Sequence, residues 1–359
     1  MLLPYSTRRS SQVNRLNLFF STRRTFHSLS LTLLLAMASL STCLMLAYAF
    51  LGFSSLSTVG AEVPGTPDVS PSLQDILDKA HKGPLYTYPT SLTQGIIPKG
   101  IHSHNDYWRD VPLYSALSVG AISIEADVWL YNDTLFVGHE ISALTKQRTF
   151  ESLYINPILD VIKRQNPSTP FVNEKTLNGV FDTSSGQTLY LFVDLKTSGA
   201  STWPVVIKAL EPLRAAGYLS STNGTHFTSR PVTVIGTGNT PLSLVQPIEE
   251  RDYFWDGPLP TLNTTFSNIT SLVSPIASSS VSAALGSTVL GTGLNDTQLE
   301  ILRGQVATAH GKGIKVRYWD QPGWPISTRN GLWRQFRTEG VDLINVDDLE
   351  AAAGFGDTW

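Results

Sequence analysis

The sequence predicts an α/β fold, a (β/α)8 barrel of the TIM type preceded by an N-terminal transmembrane helix. From residue 95 onward, short β-branched runs alternate with helical stretches that end in glycine, a pattern typical of parallel strands covered by helices. This region has about 265 residues, close to the roughly 250 typical of such a barrel. A doubly wound sheet gives the same alternation and is the alternative fold.

The composition excludes several classes of protein. Of the 359 residues, 42% are hydrophobic and 15% are charged, which is too apolar and too weakly charged for a disordered chain. The net charge of −3 argues against a nucleic-acid partner held by a basic surface. The single cysteine, Cys43, excludes an intrachain disulfide and a cysteine-based zinc site.

Residues 29–53 are expected to form the transmembrane helix, since they contain no charged residue and no proline. About twenty apolar residues span a bilayer, whereas a cleaved signal peptide has an apolar region of about 7–15 residues. Residues 1–28 carry arginines and no acidic residue, which predicts a basic cytoplasmic N-terminus, a signal anchor and a lumenal or extracellular C-terminal domain. The alternatives are a buried core helix and a mitochondrial presequence, which would place the protein at a mitochondrial membrane.

Residues 54–94 are expected to form a tether between this helix and a barrel at residues 95–359. The stretch 54–72 is rich in Ser, Gly and Pro and cannot bury enough apolar surface to order itself. A short helix is predicted over 73–82, before Pro84. Five Asn-X-Ser/Thr sequons suit a lumenal or extracellular glycoprotein, and they lie at Asn132, Asn223, Asn263, Asn268 and Asn295.

Within the barrel, strands are predicted from β-branched and aromatic runs, and helix ends from glycines. Strands are expected over 95–102, 121–130, 135–139, 189–196, 231–236, 314–319 and 341–346. Helices are expected over 112–119, 203–216, from Asn295 or Asp296 to about residue 310, and over 328–338. Two stretches fit the repeat badly, 165–186 and 256–290, and are predicted to be long loops at one end of the barrel.

Carboxylates occur at the predicted carboxyl ends of two strands, where barrel enzymes place their active sites. Glu125 and Asp127 lie two residues apart and therefore on one face of their strand. Two carboxylates inside a barrel would repel, and a divalent cation removes that repulsion. With Asp194 from a later strand, the three oxygen ligands suit Mg²⁺ or Ca²⁺. The alternative is that the pair faces solvent on a surface strand.

Basic, imidazole and aromatic side chains accompany these carboxylates. Lys196 shares a strand face with Asp194, either as an ion-pair partner or as a cation for phosphoryl oxygens. Three histidines lie near the same strand ends, and two of them could act as general acid and general base: His102, His104 and His139. Trp319 ends a later strand and is expected to line a substrate pocket.

The motifs H-N-D, E-A-D, G-H-E and D-L-K together resemble the phospholipase C-like phosphodiesterase superfamily of metal-dependent barrels. That superfamily includes glycerophosphodiester phosphodiesterases and sphingomyelinase D-like phospholipases. The run GIHSHNDYWRDVPLYSALSVGAISIEADVWLYNDTLFVGHE is more closely similar to fungal altered inheritance of mitochondria protein 6 homologues. The resemblance covers about residues 95–350 and includes VRYWD and GVDLINVDD near the end of the chain.

The resemblance implies a role for each residue of the constellation. Glu125, Asp127 and Asp194 would bind the cation, and Lys196 would hold a phosphate oxygen. His104 and His139 would be the acid and base; His102 competes with His104, which is favoured because His-Asn-Asp lies at the strand end. Substrate-binding residues would be His102, Asn105 and Trp319.

The predicted function is a membrane-anchored, metal-dependent phosphodiesterase that hydrolyses a phospholipid or a glycerophosphodiester by histidine acid–base catalysis. Glycerophosphodiesterases carry a Pro-Glu-Asn motif that this sequence lacks, and Asp194-Leu195-Lys196 is more similar to the sphingomyelinase D pattern. A metal-dependent hydrolase of another ester would need the same site. The alternative from a different class is a catalytically silent lumenal domain that binds a lipid headgroup or a protein partner.

Overall fold

The computed structural model describes residues 69–80, 83–172, 174–286, 291 and 293–355. The basic arm predicted at 1–28 and the transmembrane helix predicted at 29–53 lie outside the described residues. Among the helices that are described, none combines the length and apolarity needed to cross a bilayer. The chain divides into two compact units, residues 1–79 and 80–359. The described part of the first unit is mainly one helix, Pro71–Ala80, where the sequence predicted a helix over 73–82.

The described residues of the second unit form thirteen strands, most of them short. In chain order they are β1 (Lys99–Ser103), β2 (Ala121–Tyr131), β3 (Thr134–Val137), β4 (Leu189–Leu195), β5 (Ser221–Asn223), β6 (Phe227–Thr228), β7 (Val232–Gly238), β8 (Glu250–Arg251), β9 (Phe254–Trp255), β10 (Gly257–Pro258), β11 (Ile276–Ser280), β12 (Lys315–Trp319) and β13 (Leu343–Val346).

Nine of these strands form one parallel sheet that curls into a nearly closed, TIM-like barrel. The order of neighbours is β10–β11–β12–β13–β1–β2–β4–β7–β9. Its two end strands, β9 and β10, are separated in the chain by Asp256 alone, so the path returns almost to its start. The fold is therefore α/β with parallel strands, as the alternation predicted.

The described α-helices of the second unit follow strands and bury apolar side chains, whereas Pro71–Ala80 precedes the strands and buries none. For example, the helix Ile326–Thr338 buries Leu332, Trp333 and Phe336, three residues that recur at helical spacing. The α-helices are α1 (Pro71–Ala80), α2 (Tyr114–Ser118), α3 (Asn156–Gln165), α4 (Gly199–Ala209), α5 (Glu211–Ala215), α6 (Val281–Leu285), α7 (Asp296–Gly311), α8 (Ile326–Thr338) and α9 (Leu349–Ala353).

The interior of the barrel changes from apolar to polar along the strands. Alternate residues of β4 point into the barrel. From the amino to the carboxyl end of the strand they are Tyr190, Phe192 and Asp194. On β2 the residues in register with these three are Ser123, Glu125 and Asp127. The apolar interior layer is completed by Ile235, Phe254, Ile276 and Leu343. On β2 and β4 the inward-facing charged residues therefore lie toward the carboxyl end of the barrel.

Two predicted elements need correction. The stretch 256–290 is not a long loop, because it contains β10, the barrel strand β11 and the helix α6. The sequence of β11, Ile-Ala-Ser-Ser-Ser, is hidden in a Ser/Thr-rich region and carries no β-branched run. The helix predicted over 203–216 is two helices, α4 and α5, and Pro212 lies in the first turn of the second.

The predicted extended run at 135–139 is the second arm of a hairpin. Strand β3 pairs with the end of β2 in antiparallel register, with Tyr131 opposite Thr134. The two turn residues, Asn132 and Asp133, have φ angles of 48° and 59°, which suit the favoured two-residue hairpin turn. The hairpin carries the chain back toward the barrel opening and delivers His139 there. A π-helical turn at Glu151–Ile155 and helix α3 also escaped prediction.

Helix α7 begins at a complete capping box. The Asn295 side chain accepts a hydrogen bond of 2.9 Å from the backbone N–H of Gln298, whose side chain accepts one of 3.1 Å from the Asn295 N–H. Such a cap satisfies two amide groups that the helix itself leaves without a partner.

We expect Asn295→Ala to lower the free energy of unfolding by about 1 kcal/mol, because it removes this cap. Urea denaturation of the purified protein measures the change. Thr297→Ala is the matched control, since it removes the same sequon but leaves the cap. Equal losses in the two variants would show that the cap contributes nothing measurable.

Candidate active site

Three carboxylates from neighbouring strands meet at the carboxyl end of the barrel. Glu125 and Asp127 lie on β2, and Asp194 of β4 is directly in register with Asp127. One oxygen from each lies within 4.8 Å of the others. The structure therefore brings together the three carboxylates that the sequence pattern grouped.

Asp127 is the most constrained of these carboxylates. Its Oδ2 accepts hydrogen bonds from the Tyr107 hydroxyl (2.6 Å) and from Lys196 (3.0 Å). Its Oδ1 is buried and has no hydrogen-bond partner. Burial, followed by repulsion from Glu125, raises the pKa of Asp127 to about 7. A buried oxygen without a partner beside two more carboxylates is an arrangement that a divalent cation satisfies.

Glu125 lies one pleat deeper than Asp127 and faces cationic neighbours. Burial opposes its ionisation, but contact with His102 and the charge of Arg317 outweigh burial and hold the pKa of Glu125 below its usual range. Its Oε2 also accepts a hydrogen bond of 3.3 Å from the backbone N–H of Asn105. Glu125 is therefore the carboxylate that stays charged most readily.

Asp194 fits its position because residue 238 is glycine. A Cβ at Gly238 would lie 1.9 Å from Asp194 Oδ1, and Gly238 has a φ of +61°. Burial raises the pKa of Asp194. Lys196 donates a hydrogen bond of 2.7 Å to its Oδ2. Lys196 thus bridges two of the three carboxylates.

Lys196 was predicted either as an ion-pair partner or as a cation for phosphoryl oxygens. Its ammonium group forms ion pairs with Asp194 and Asp127 and also lines the cavity above them. Burial opposes the charge, but the two carboxylates outweigh it and raise the pKa of Lys196. The geometry is compatible with both roles.

His104 follows β1 and is held by the carboxylate of Asp347, which directly follows β13. Its Nδ1 lies 2.7 Å from Asp347 Oδ1, and its Nε2 lies 3.7 Å from Glu125 Oε2. Burial lowers the pKa of His104, but the bond with Asp347 and the charge of Glu125 outweigh it and raise the pKa. His104 is therefore suited to carry a proton.

His139 lies on the other flank of the carboxylates. Its Nδ1 is 3.2 Å from the Tyr107 hydroxyl and 3.5 Å from Asp127 Oδ2. Its ring is half exposed, and the Trp108 ring packs 5.1 Å away. The two predicted histidines thus adjoin different members of the carboxylate cluster.

A cavity of about 570 Å³ opens over the carboxylates. Eight of the nine residues that the sequence predicted for the site line it: His104, Asn105, Glu125, Asp127, His139, Asp194, Lys196 and Trp319. Asn105 adopts a left-handed conformation with φ of 48°, which turns the chain away from β1 and lets the Tyr107 hydroxyl reach Asp127. The ninth predicted residue is His102.

His102 is fully buried and does not line this cavity. An Arg317 nitrogen lies 2.7 Å from its Nε2, and because a guanidinium only donates, Nε2 must accept. The proton therefore sits on Nδ1 and is donated to Ser123 Oγ, 2.7 Å away. Burial and the charge of Arg317 lower the pKa of His102 to about 3. Direct substrate binding by His102 is inconsistent with this position.

Arg317 is the principal site residue that the sequence reasoning missed. It is buried, lines the cavity, stacks 4.5 Å over the Phe192 ring and donates to Ser278 Oγ at 2.9 Å. Asp256 Oδ2 lies 3.6 Å from it. The signal was present, because Arg317 shares a strand face with Trp319 between two buried residues, Val316 and Tyr318. A charged residue between buried apolar residues of a strand indicates a functional site.

Comparison with known proteins identifies the family of this chain. Residues 90–256 match the family model of an AIM6-like phosphodiesterase domain. An altered inheritance of mitochondria protein 6 homolog from Arthroderma benhamiae is 52% identical over 311 residues, covering 84% of this chain and 98% of that protein. Altered inheritance of mitochondria protein 6 from Saccharomyces cerevisiae is 30% identical over 291 residues, covering 75% of this chain and 74% of the relative.

The chain belongs to the altered inheritance of mitochondria protein 6 family. This confirms the resemblance drawn from the sequence motifs. Among solved structures, a glycerophosphodiester phosphodiesterase from Parabacteroides distasonis aligns with 72% of this chain and 98% of its own, at 12% identity and a TM-score of 0.39. At these values the likeness is weak.

We expect Gly238→Ala to destabilise the protein by about 1–2 kcal/mol from backbone strain, with a further loss from the clash with Asp194. The free energy of unfolding, measured by denaturant titration, reports the change. Gly186→Ala is the control, because a Cβ at Gly186 meets no atom within 4 Å. Equal stability of the two variants would contradict the tight fit around Asp194.

Proposed function

We propose that this chain is a metal-dependent phosphodiesterase that hydrolyses a phospholipid or a glycerophosphodiester. The observation that carries the proposal is the cluster of Glu125, Asp127 and Asp194 with one buried carboxylate oxygen lacking a hydrogen-bond partner. His104 adjoins one side of the cluster and His139 the other. The phosphodiesterase name of the matching family model agrees with this reading.

The three carboxylates fit a hard divalent cation, Mg²⁺ or Ca²⁺, because all their ligand atoms are oxygens and one of them needs a partner. A cation held by Glu125, Asp127 and Asp194 would offset the charge of the cluster and would supply a Lewis acid for a phosphoryl oxygen. The remaining chemistry belongs to the side chains around the cavity.

Lys196 and Arg317 hold the phosphodiester. Both cations line the cavity, and both are anchored by carboxylates or hydroxyls behind them, so their positions are fixed before the substrate binds. Fixed positive charge stabilises the phosphoryl oxygens as negative charge develops on them in the transition state. Asn105 and Trp319 line the same cavity and contact the rest of the substrate.

His139 acts as general base and His104 as general acid. His139 takes the proton from an attacking hydroxyl, supplied by water or by the substrate itself, as a new P–O bond forms. His104 donates a proton from Nε2 to the leaving oxygen as the old P–O bond breaks. Asp347 accepts the bond from His104 Nδ1, which orients the ring and favours its protonated form.

His102 acts as a positioning residue. Its Nε2 accepts a hydrogen bond from Arg317 and its Nδ1 donates one to Ser123, so His102 holds the Arg317 guanidinium in place beside Glu125. Its neutral state is set by burial beside Arg317. In this proposal His104, which lines the cavity, is the catalytic histidine, and the buried His102 is not.

The barrel is proposed to be anchored to a membrane by the apolar segment 29–53, with residues 54–94 as a tether. A lumenal or extracellular barrel suits the five sequon asparagines, all of which are exposed. The names of the relatives instead favour a mitochondrial membrane.

The test is turnover by the purified full chain on bis-p-nitrophenyl phosphate, lysophosphatidylcholine, sphingomyelin and glycerophosphocholine, each with Mg²⁺, Ca²⁺ or EDTA. We expect cation-dependent hydrolysis that His104→Ala lowers by roughly 10²–10⁴-fold. His310→Ala is the matched control, because His310 forms a similar pair with Asp342 at 2.8 Å outside the cavity.

Activity in EDTA, or equal losses in the two variants, would contradict the mechanism. A folded protein that binds the cation but turns over none of the four substrates would favour the silent domain that binds a headgroup or a protein partner.

A further inference from the structure

The exposed tryptophans of the described chain all lie at the open end of the barrel. Trp108 is 59% exposed, Trp319 41% and Trp324 75%. The other described tryptophans are buried or partly buried. Trp108 follows β1, whereas Trp319 and Trp324 lie at and after the end of β12. These are the strand ends that surround the carboxylate cavity.

Aliphatic side chains extend the same surface. Val111 lies three residues after Trp108, Ile141 follows His139, and Ile326 begins helix α8 after Trp324; all three are exposed. We call these six residues the mouth ring: Trp108, Val111, Ile141, Trp319, Trp324 and Ile326. Trp108 packs against the catalytic His139, and Trp319 lines the cavity itself. Two residues of the mouth ring, Trp108 and Trp319, therefore adjoin the substrate site.

Exposed apolar side chains are ordinary when scattered, but a cluster rimmed by polar residues marks an interaction surface. Tryptophan is the side chain enriched at membrane–water interfaces, because its ring is apolar and its N–H remains polar. Tryptophans and isoleucines surround the entrance to a cavity for which we propose phospholipid cleavage. Such a surface suits contact with the membrane–water interface.

The charged side chains near the mouth ring indicate which lipid headgroups this surface favours. Exposed carboxylates of Asp110, Glu140 and Asp320 lie in the same loops, with Lys146 as an exposed cation. Arg109 is occupied, since it donates to the backbone carbonyls of residues 104, 346 and 347. An acidic rim is repelled by anionic lipids and attracts the cationic groups of zwitterionic headgroups.

We propose that the mouth ring is a membrane-contact surface that seats the open end of the barrel on a leaflet of zwitterionic phospholipid. A lipid would then reach the carboxylates from the leaflet without crossing water. The purpose of this contact rests on the proposed function, but the contact itself is independent of turnover.

The test uses the full chain reconstituted in phosphatidylcholine vesicles that contain dibrominated phosphatidylcholine as a quencher of tryptophan emission. Residues 1–107 contain no tryptophan, so the quenching does not report the anchor segment. We expect Trp108→Phe/Trp324→Phe to lose about half or more of the wild-type quenching, because these rings enter the interface. Trp203→Phe/Trp333→Phe, at two buried rings, is the control and should retain it.

Equal quenching in the two double variants would overturn the proposal. No quenching of the wild type would also overturn it, and is the result expected if a protein or the N-terminal segment covers the mouth ring. Stronger quenching after part of the phosphatidylcholine is replaced by phosphatidylserine would overturn the preference for zwitterionic lipid. The quenching should survive EDTA and His104→Ala, so a failure of this proposal is distinguishable from a failure of the phosphodiesterase proposal.

Discussion

Repulsion among three carboxylates inside one end of a barrel is the constraint on which the site depends. Glu125, Asp127 and Asp194 are brought together by the register of β2 and β4, and burial makes their mutual repulsion costly. Lys196 offsets part of that charge from the cavity side, and Arg317 offsets part from the interior. A buried oxygen of Asp127 still lacks a partner, which is the place that the structure offers to a divalent cation.

The residues around the three carboxylates are arranged to offset the same repulsion. The guanidinium of Arg317 must be held inside the barrel, and neutral His102, Ser278 and the ring of Phe192 hold it there. Room for the carboxylates is made by the absence of a side chain at Gly238. The site is therefore a set of charges from β2, β4 and β12 that compensate each other, with the two cavity histidines at its edges.

The acidic residues of the site could be predicted from the sequence, because the pattern within a single strand reveals them. The period of two placed Glu125 beside Asp127, and the strand-end rule placed Asp194 with them. The sequence could not predict the pairing of His104 with Asp347, because these residues are 243 positions apart and meet only when β13 closes against β1. Strand β11 was missed because its serines carry no strand signal, although they pack well beside Arg317 in the finished barrel. Local patterns thus predicted the acidic cluster, whereas its compensating partners depend on tertiary structure.

The most direct measurement of the central claim is anomalous X-ray diffraction from crystals of the protein soaked in MnCl₂, since Mn²⁺ takes the same oxygen ligands as Mg²⁺. The account predicts one strong anomalous peak at the carboxyl end of the barrel, within roughly 2.0–2.6 Å of an oxygen from each of Glu125, Asp127 and Asp194. A crystal in which these three carboxylates bind no cation, or in which the only strong peak lies elsewhere, would contradict it.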